Sequence, residues 1–266
     1  MVLADKGRWT RKPLSAENAE IDRSHPLARG LNGYYLLNEG GANVNNLARP
    51  RYRGALTAGA IWGATERGVG VFFGNGADDN ILITTPSELL LANNFTWCVR
   101  VFFRAANAIQ TVLEQANPGY FIRMDAAGGA VFGRTGVAAD LTVANQFTAN
   151  AWYDFGLTLG STTARIYING IDVGNVAFTS VTPTGNMRIS SQGGSTRAVN
   201  GFILFSQMYN RELSAPEMKL LSAEPYAFLR PVLRRTYFVS GGVVAPTLPQ
   251  LERFQPRGIL RGVFAR

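Results

Sequence analysis

Few residues in this sequence have side chains suited to catalysis or to transition-metal binding. The chain of 266 residues has one histidine, His25, and one cysteine, Cys98. A single imidazole and a single thiol exclude a histidine-rich metal site and an internal disulfide bond. His25 lies near Asp22 and Ser24, but no nucleophile-elbow pattern surrounds Ser24. We therefore expect a protein that is not an enzyme.

Carboxylates are the remaining candidates for chemistry, as acid–base pairs or as calcium ligands. Glu17, Glu20 and Asp22 form a cluster near the start of the chain, which we interpret as a solvated face. Asp78 and Asp79 precede a predicted strand and offer the hard oxygen ligands that Ca²⁺ prefers. Because acidic residues are common in turns and no further ligands accompany this pair, a plain turn is favoured. The sequence predicts no bound metal and no cofactor.

Aromatic side chains offer a second kind of site, since the apolar face of a ring packs on the C–H face of a sugar. Trp62, Tyr120, Trp152 and Tyr153 are candidates for such contacts. Trp97 and Trp152 lie in alternating strand patterns, so we assign both to the core. Trp62 and Tyr120 remain as the candidates for carbohydrate binding.

Basic charge is concentrated at the two ends of the chain. Residues 1–12 carry a formal charge of +3, residues 230–266 carry +6, and residues 13–229 carry only −1. Most of these bases are arginines, which bind carboxylate or phosphate with a planar fork. The alternative is that both ends are solvated tails.

The C-terminal segment combines its arginines with large apolar side chains. Glycine and proline interrupt residues 240–249, which predicts an extended chain. Large apolar residues in a solvated tail have no function, so we expect burial against a neighbouring subunit or, alternatively, against the same chain. The predicted protein-interaction residues of both ends are Arg8, Arg11, Arg253, Phe254, Arg257, Ile259, Leu260, Arg261, Phe264 and Arg266.

The body of the chain repeats short β-branched and aromatic runs between glycine, asparagine and proline clusters. In residues 95–101 the side chains alternate, which predicts a half-buried strand with Thr96 and Cys98 on its polar face. The pair Asn169-Gly170 lies between two alternating runs and predicts a tight hairpin. Ser214 and Glu217 form a capping box, which predicts a helix that ends near Glu224. The pattern indicates an all-β antiparallel sandwich with one short C-terminal helix.

Length and hydropathy set the expected organisation. We predict an N-terminal basic arm at 1–30, a folded body at 31–232 and an extended C-terminal arm at 233–266. No apolar run approaches the roughly 18 residues of a membrane helix, and the first residues lack a signal peptide pattern. We therefore expect a soluble protein made in the cytoplasm, without a membrane partner.

Three segments carry a resemblance to a known family. They are the Trp97 strand, the hairpin at 166–174 (IYINGIDVG) and the run YNRELSAPE at 209–217. Over about 30–225 the sequence resembles the concanavalin A-like, laminin G-type jelly roll. The flanks DRSHPLARGL at 22–31 and AEPYAFLRP at 223–231 resemble the versions of this domain in tailed bacteriophages and prophages. The Glu-x-Asp-x-x-Glu strand of the glucanases in this superfamily has no counterpart here.

The resemblance implies a virion structural protein, such as a capsid decoration or cement protein. Its expected partners are the major capsid protein or other virion subunits, and a homo-oligomer is the default for a coat component. The alternative is the carbohydrate-binding module of a tail fibre or adhesin. Binding of nucleic acid is disfavoured, because the arms lack base-stacking platforms apart from Phe254 and Phe264.

Overall fold

A computed structural model of the chain describes residues 11–57, 59–74, 79–84, 87–136, 139–191, 193 and 197–232. These residues form 18 strands, one α-helix and two short 3-10 helices at Ala16–Asn18 and Pro26–Ala28. The helix is α1 (Ala215–Ala223). In chain order the strands are β1 (Ala19–Ile21), β2 (Leu31–Tyr35), β3 (Asn43–Val44), β4 (Gly54–Thr57), β5 (Ile61–Thr65), β6 (Gly68–Gly74), β7 (Asn80–Ile83), β8 (Phe95–Phe103), β9 (Gln110–Gln115), β10 (Tyr120–Met124), β11 (Ala130–Arg134), β12 (Ala139–Val143), β13 (Ala151–Leu159), β14 (Thr163–Ile168), β15 (Ile171–Ala177), β16 (Met187–Ile189), β17 (Asn200–Tyr209) and β18 (Leu229–Pro231).

Two antiparallel sheets pack face to face, which confirms the predicted sandwich. The first sheet has the order β15-β14-β13-β8-β17-β6-β5, with β2 paired to the second half of β17. The second sheet has the order β12-β11-β10-β9-β16-β7-β4-β3. Side chains from the inner faces of both sheets form one apolar core, which includes Trp97, Phe103, Tyr120 and Phe155.

Strand β8 differs from its predicted pattern on one face. Its apolar positions point into the core, but Thr96 and Cys98 on the opposite face are also buried. Helix α1 and the N-terminal segment cover that face and build a second apolar cluster with Tyr34, Phe205 and Leu221. The prediction of a half-buried strand is therefore wrong at this end of β8, because chain segments far away in sequence lie over it.

The N-terminal residues that the structure describes belong to the folded body. Strand β1 pairs with β18, with Ala19 opposite Pro231. The ammonium group of Lys12 donates to the backbone carbonyls of Leu37, Val69 and Leu204. The body thus begins earlier than the predicted boundary at 31. At the other end, the compact unit ends at Val232.

The predicted hairpin and helix termini are both present. Asn169 and Gly170 have positive φ angles of 52° and 76° between β14 and β15. At the start of α1, the Ser214 amide donates to Glu217 Oε2 at 2.9 Å, which is one half of the capping box. The helix ends at Ala223, just before Glu224. Across the described residues, we find no helix of a length and apolarity that would let it cross a membrane.

Candidate functional site

Four aromatic side chains cross the outer face of the first sheet, each from a different strand. Phe72 of β6 is the register partner of Phe202 of β17, Phe202 is the partner of Phe102 of β8, and Phe102 is the partner of Trp152 of β13. Register partners on antiparallel strands project to the same side of a sheet. We call these four residues the aromatic row.

The rings of the aromatic row lie close together and are partly open to solvent. Ring centroids are 5.1 Å apart for Phe72 and Phe202, 6.5 Å for Phe202 and Phe102, and 5.1 Å for Phe102 and Trp152. All four side chains are half-buried. At about 4.8 Å between neighbouring strands, the aromatic row extends over roughly 14 Å. Ile61, the partner of Phe72 on β5, continues the apolar strip and is 58% exposed.

A glycine makes room for one of these rings. A Cβ atom at Gly63 of β5 would lie 2.7 Å from Cε1 of Phe202. The absence of a side chain at Gly63 therefore lets the Phe202 ring lean over the neighbouring strands.

Charged groups flank both ends of the aromatic row. At the Trp152 end, the indole N–H donates to Glu66 Oε1 at 3.0 Å, and the guanidinium carbon of Arg67 lies 5.7 Å from the ring centroid. At the Phe72 end, the guanidinium carbon of Arg104 lies 5.4 Å from the ring centroid. Both arginines lie within cation–π range of a ring. The surface thus combines apolar ring faces with hydrogen-bonding groups at its two ends.

A buried ion pair separates the aromatic row from the part of the sheet that α1 covers. Arg100 donates to both carboxylate oxygens of Asp154 at 2.7 Å and to the Ser222 carbonyl at 2.9 Å. Burial alone would lower the pKa of Arg100, but the hydrogen bonds and the charge of Asp154 raise it overall. Arg100 is therefore charged and anchors α1 to the sheet beside the row.

The family of the chain follows from its sequence and agrees with this geometry. The model of the concanavalin A-like lectin/glucanases superfamily, Laminin_G_3, matches residues 75–219. The chain belongs to this family. Among curated proteins no relative matches.

Solved structures show the same concanavalin A-like fold in several settings. A sialidase of Trypanosoma rangeli in complex with sialic acid is 16% identical, with a TM-score of 0.59 over 74% of this chain and 33% of its own. The binding domain of Paraclostridial Mosquitocidal Protein 1 is 16% identical, with a TM-score of 0.58 over 74% of this chain and 52% of its own. Domain 4 of AbnA, an arabinanase from Geobacillus stearothermophilus in complex with arabinotriose, is 13% identical, with a TM-score of 0.57 over 77% of this chain and 99% of its own.

These likenesses establish the fold of the concanavalin A-like domain. This chain spans about a third of the length of the sialidase that it matches. The arabinanase domain, in contrast, is matched over nearly its whole length. The fold of this domain is therefore what these structures have in common.

The aromatic residues singled out from the sequence occupy other places in the concanavalin A-like domain. Tyr120 is fully buried; its hydroxyl donates to the Ala92 carbonyl at 2.5 Å and accepts from the Val181 amide at 2.8 Å. No ring face of Tyr120 is open to a sugar, so its assignment as a carbohydrate contact is wrong. Trp62 packs against the core, and its indole N–H donates to the Gly41 carbonyl at 2.6 Å.

Trp152 also differs from its prediction. The sequence assigns it to the core, but its register places it on the outer face of β13, where it is half-buried and ends the aromatic row. The alternation in β13 cannot say which of its two faces lies over the core. No sequence pattern marks Phe72, Phe102 and Phe202 as neighbours, because they come from strands far apart in sequence.

The acidic candidates are held by hydrogen bonds within the fold. Asp79 is 5% exposed and accepts from the amides of Gly59 at 2.8 Å and Gly74 at 3.1 Å, while Asp78 lies outside the described residues. Backbone donors on both carboxylate oxygens favour a structural turn. Across the residues that the structure describes, no group of three His, Cys, Asp or Glu side chains is placed to hold a metal ion.

The polar side chains near His25 form hydrogen bonds with their neighbours in sequence and stabilise the local turn. Asp22 Oδ1 accepts from the amide and hydroxyl of Ser24 at 3.0 Å and 2.6 Å. Nδ1 of His25 accepts from the Leu27 amide at 3.2 Å and caps the following 3-10 helix. Glu20 forms an ion pair with Arg230 at 2.8 Å across β1 and β18.

One buried carboxylate lies on the second sheet. Glu114 is 2% exposed and accepts from the Gly193 amide at 2.9 Å and from Arg188 at 3.4 Å. Burial raises the pKa of Glu114, although these two donors and nearby arginines act against it. No sequence motif marks Glu114, because a lone glutamate in a strand matches no recognisable pattern.

Most of the predicted arm residues fall outside the described part of the chain. Arg8 and the C-terminal candidates from Arg253 to Arg266 are among them, so their roles stay predictions. Arg11 is described and is exposed. Together with Lys12, Arg67 and Arg100, it lines a cavity beside Trp152.

Proposed function

We propose that this protein is a carbohydrate-binding domain without catalytic activity, which holds a glycan chain on the aromatic row. The observation that carries the proposal is the register of Phe72, Phe202, Phe102 and Trp152 across four neighbouring strands. This register places four half-buried rings side by side on an outer sheet face.

The chemistry of the row suits a sugar chain. Each sugar ring has an apolar C–H face that packs on an aromatic ring, and a rim of hydroxyls that need hydrogen-bonding partners. The flanking groups, Glu66, Arg67 and Arg104, provide those partners at both ends. Ligand sites are typically lined by apolar and aromatic side chains, with a few polar groups that fix the orientation of the ligand.

The structural neighbours support this reading at the level of the fold. Domain 4 of the arabinanase was solved with arabinotriose, and the sialidase was solved with sialic acid. A fold alone does not define a ligand, whereas the aromatic row is a feature of this chain that fits a sugar.

The test is a glycan array followed by calorimetric titration with the oligosaccharides that bind, arabinotriose included. We expect Trp152→Ala to weaken binding at least about tenfold, which corresponds to roughly 1.4 kcal/mol. Ile171→Ala is the matched control, because Ile171 is 64% exposed but lies outside the row. The proposal is wrong if no glycan on the array binds, or if Trp152→Ala binds as tightly as the wild type.

A second proposal concerns where such a domain acts. The two flanks that resemble bacteriophage sequences come together in the fold: β1 pairs with β18, and the Asp22 amide donates to the Phe228 carbonyl at 2.8 Å. We propose that the domain belongs to a virion, as a capsid decoration or tail-fibre component. Its arms would attach it to the major capsid protein or to sister subunits in a homo-oligomer.

This second proposal has its own test. Mass spectrometry of purified particles should detect the chain, at high copy number for a capsid component and at low copy number for a fibre. Absence of the chain from particles whose genome encodes it would exclude the virion role and leave the glycan site unaffected.

A further inference from the structure

A basic cavity adjoins the Trp152 end of the aromatic row. Its volume is about 570 Å³, and the turn between β5 and β6 forms one of its walls. Four basic side chains, one carboxylate and one phenol line it, namely Arg11, Lys12, Arg67, Arg100, Glu66 and Tyr226. The lining thus has an excess of positive charge.

Two of the four bases are already satisfied by the protein. Arg100 is paired with Asp154 through two hydrogen bonds of 2.7 Å. Lys12 donates to three backbone carbonyls, and burial lowers its pKa to about 7. Neither group is therefore the main cation offered to a ligand.

Arg67 and Arg11 are the bases that remain available. Among the described residues, the carboxylate nearest to Arg67 is that of Glu66, at 4.0 Å, and both side chains are exposed. Among the described residues, no carboxylate lies within ion-pair distance of Arg11, which is also exposed. A guanidinium without a close carboxylate partner is suited to bind one from a ligand.

Two of the charged groups that flank the Trp152 end of the aromatic row also line the cavity. Arg67 lies 5.7 Å from the Trp152 ring centroid and also lines the cavity. Glu66 accepts the indole N–H of Trp152 and lines the same cavity. Burial raises the pKa of Tyr226, and the charge of Asp154 adds to this effect. The positive charges of Arg100 and Arg67 act in the opposite direction on this pKa, which means that Arg67 lies close enough to influence this phenol. A sugar packed on Trp152 would have its substituents at the cavity mouth.

We propose that the glycan carries an acidic sugar whose ring packs on Trp152 and whose carboxylate binds Arg67 and Arg11 in this cavity. This inference depends on the proposed function, since it names the substrate class of the same surface. The aromatic row holds the apolar faces of the chain, and the cavity selects the residue with the negative charge.

The experiment measures the preference for charge directly. The probes are matched pairs: oligouronides with their carboxyl-reduced neutral counterparts, and sialyllactose with lactose. We expect at least one acidic member to bind about tenfold or more tightly than its neutral partner. Arg67→Gln and Arg11→Gln should each reduce that ratio. Arg165→Gln is the control, because Arg165 pairs with Asp172 and lies outside both the aromatic row and the cavity.

The outcomes separate this inference from the proposed function. Equal binding of acidic and neutral partners, with both lost in Trp152→Ala, would overturn the acidic ligand and keep the carbohydrate site. A preference for charge that survives in Arg67→Gln would overturn the role of the cavity. Equal binding of a sulfated oligosaccharide would show that charge alone is recognised and would overturn the assignment of a carboxylate. Failure of every one of these probes to bind, while another glycan on the array binds, would overturn the acidic ligand and keep the carbohydrate site.

Discussion

Gly170 is held at once by the turn between β14 and β15 and by helix α1, and its replacement by alanine tests both restraints. Its φ angle is +76°, a conformation that favours glycine. A Cβ atom at Gly170 would lie 2.8 Å from Lys219 Cα and 3.1 Å from the Met218 carbonyl oxygen. These are backbone atoms of α1, so they cannot move away without shifting the helix.

Two costs add in Gly170→Ala. The left-handed conformation costs an alanine roughly 1 to 2 kcal/mol. The contact with α1 adds the cost of overpacking, about 1 to 3 kcal/mol. We therefore expect Gly170→Ala to lower the free energy of unfolding by about 2 to 5 kcal/mol.

Gly40 provides a matched control for the backbone term. Its φ angle is +78°, and no atom lies within 4 Å of the position that a Cβ would occupy. Gly40→Ala should therefore lose only the roughly 1 to 2 kcal/mol of backbone strain. Urea denaturation of both variants, followed by tryptophan fluorescence, measures the difference. Equal losses for the two variants would refute the contact between the turn and α1.

Two further predictions concern ion pairs of different burial and the pH dependence of stability. Asp154→Ala leaves the charge of Arg100 buried without its partner and should lower the free energy of unfolding by about 3 to 5 kcal/mol. Asp172→Ala removes the more exposed pair with Arg165 and should lower it by at most about 1 kcal/mol. Similar losses for the two variants in urea denaturation would contradict this difference. Hydrogen bonds from Arg211 lower the pKa of Glu217 from 4.5 to about 2, so its contribution to stability is complete above pH 4.5 and is lost as the pH falls toward 2. The difference in the free energy of unfolding between the wild type and Glu217→Gln should therefore become smaller as the pH falls from 4.5 toward 2. A difference that stays constant over this pH range would be evidence against the ion pair of Glu217 with Arg211.

Local patterns in the sequence determined several elements of this protein. The positive φ angles at Asn169 and Gly170 follow from residue types that tolerate them. The capping box at Ser214 and Glu217 and the strand alternation in β8 are likewise encoded within a few residues. Interactions between neighbours in sequence are enough to specify a turn, a helix start or the period of a strand.

The aromatic row was decided by the tertiary structure alone. Its rings come from four strands whose register depends on long-range pairing, including a shift between Ile203 and Phe205 in β17. A shift of one residue moves a side chain to the other face of a sheet, so the sequence of β17 cannot show that Phe202 joins Phe102 and Phe72.

The burial of a sheet face was also a tertiary outcome. Thr96 and Cys98 are covered by chain segments from both ends of the domain, while Phe102 on the same face of β8 is left partly open. The alternation in the strand shows only which side chains share a face. What covers each face depends on where distant segments pack. The sequence could therefore indicate a sandwich, but it could not locate the surface that we propose for glycan binding.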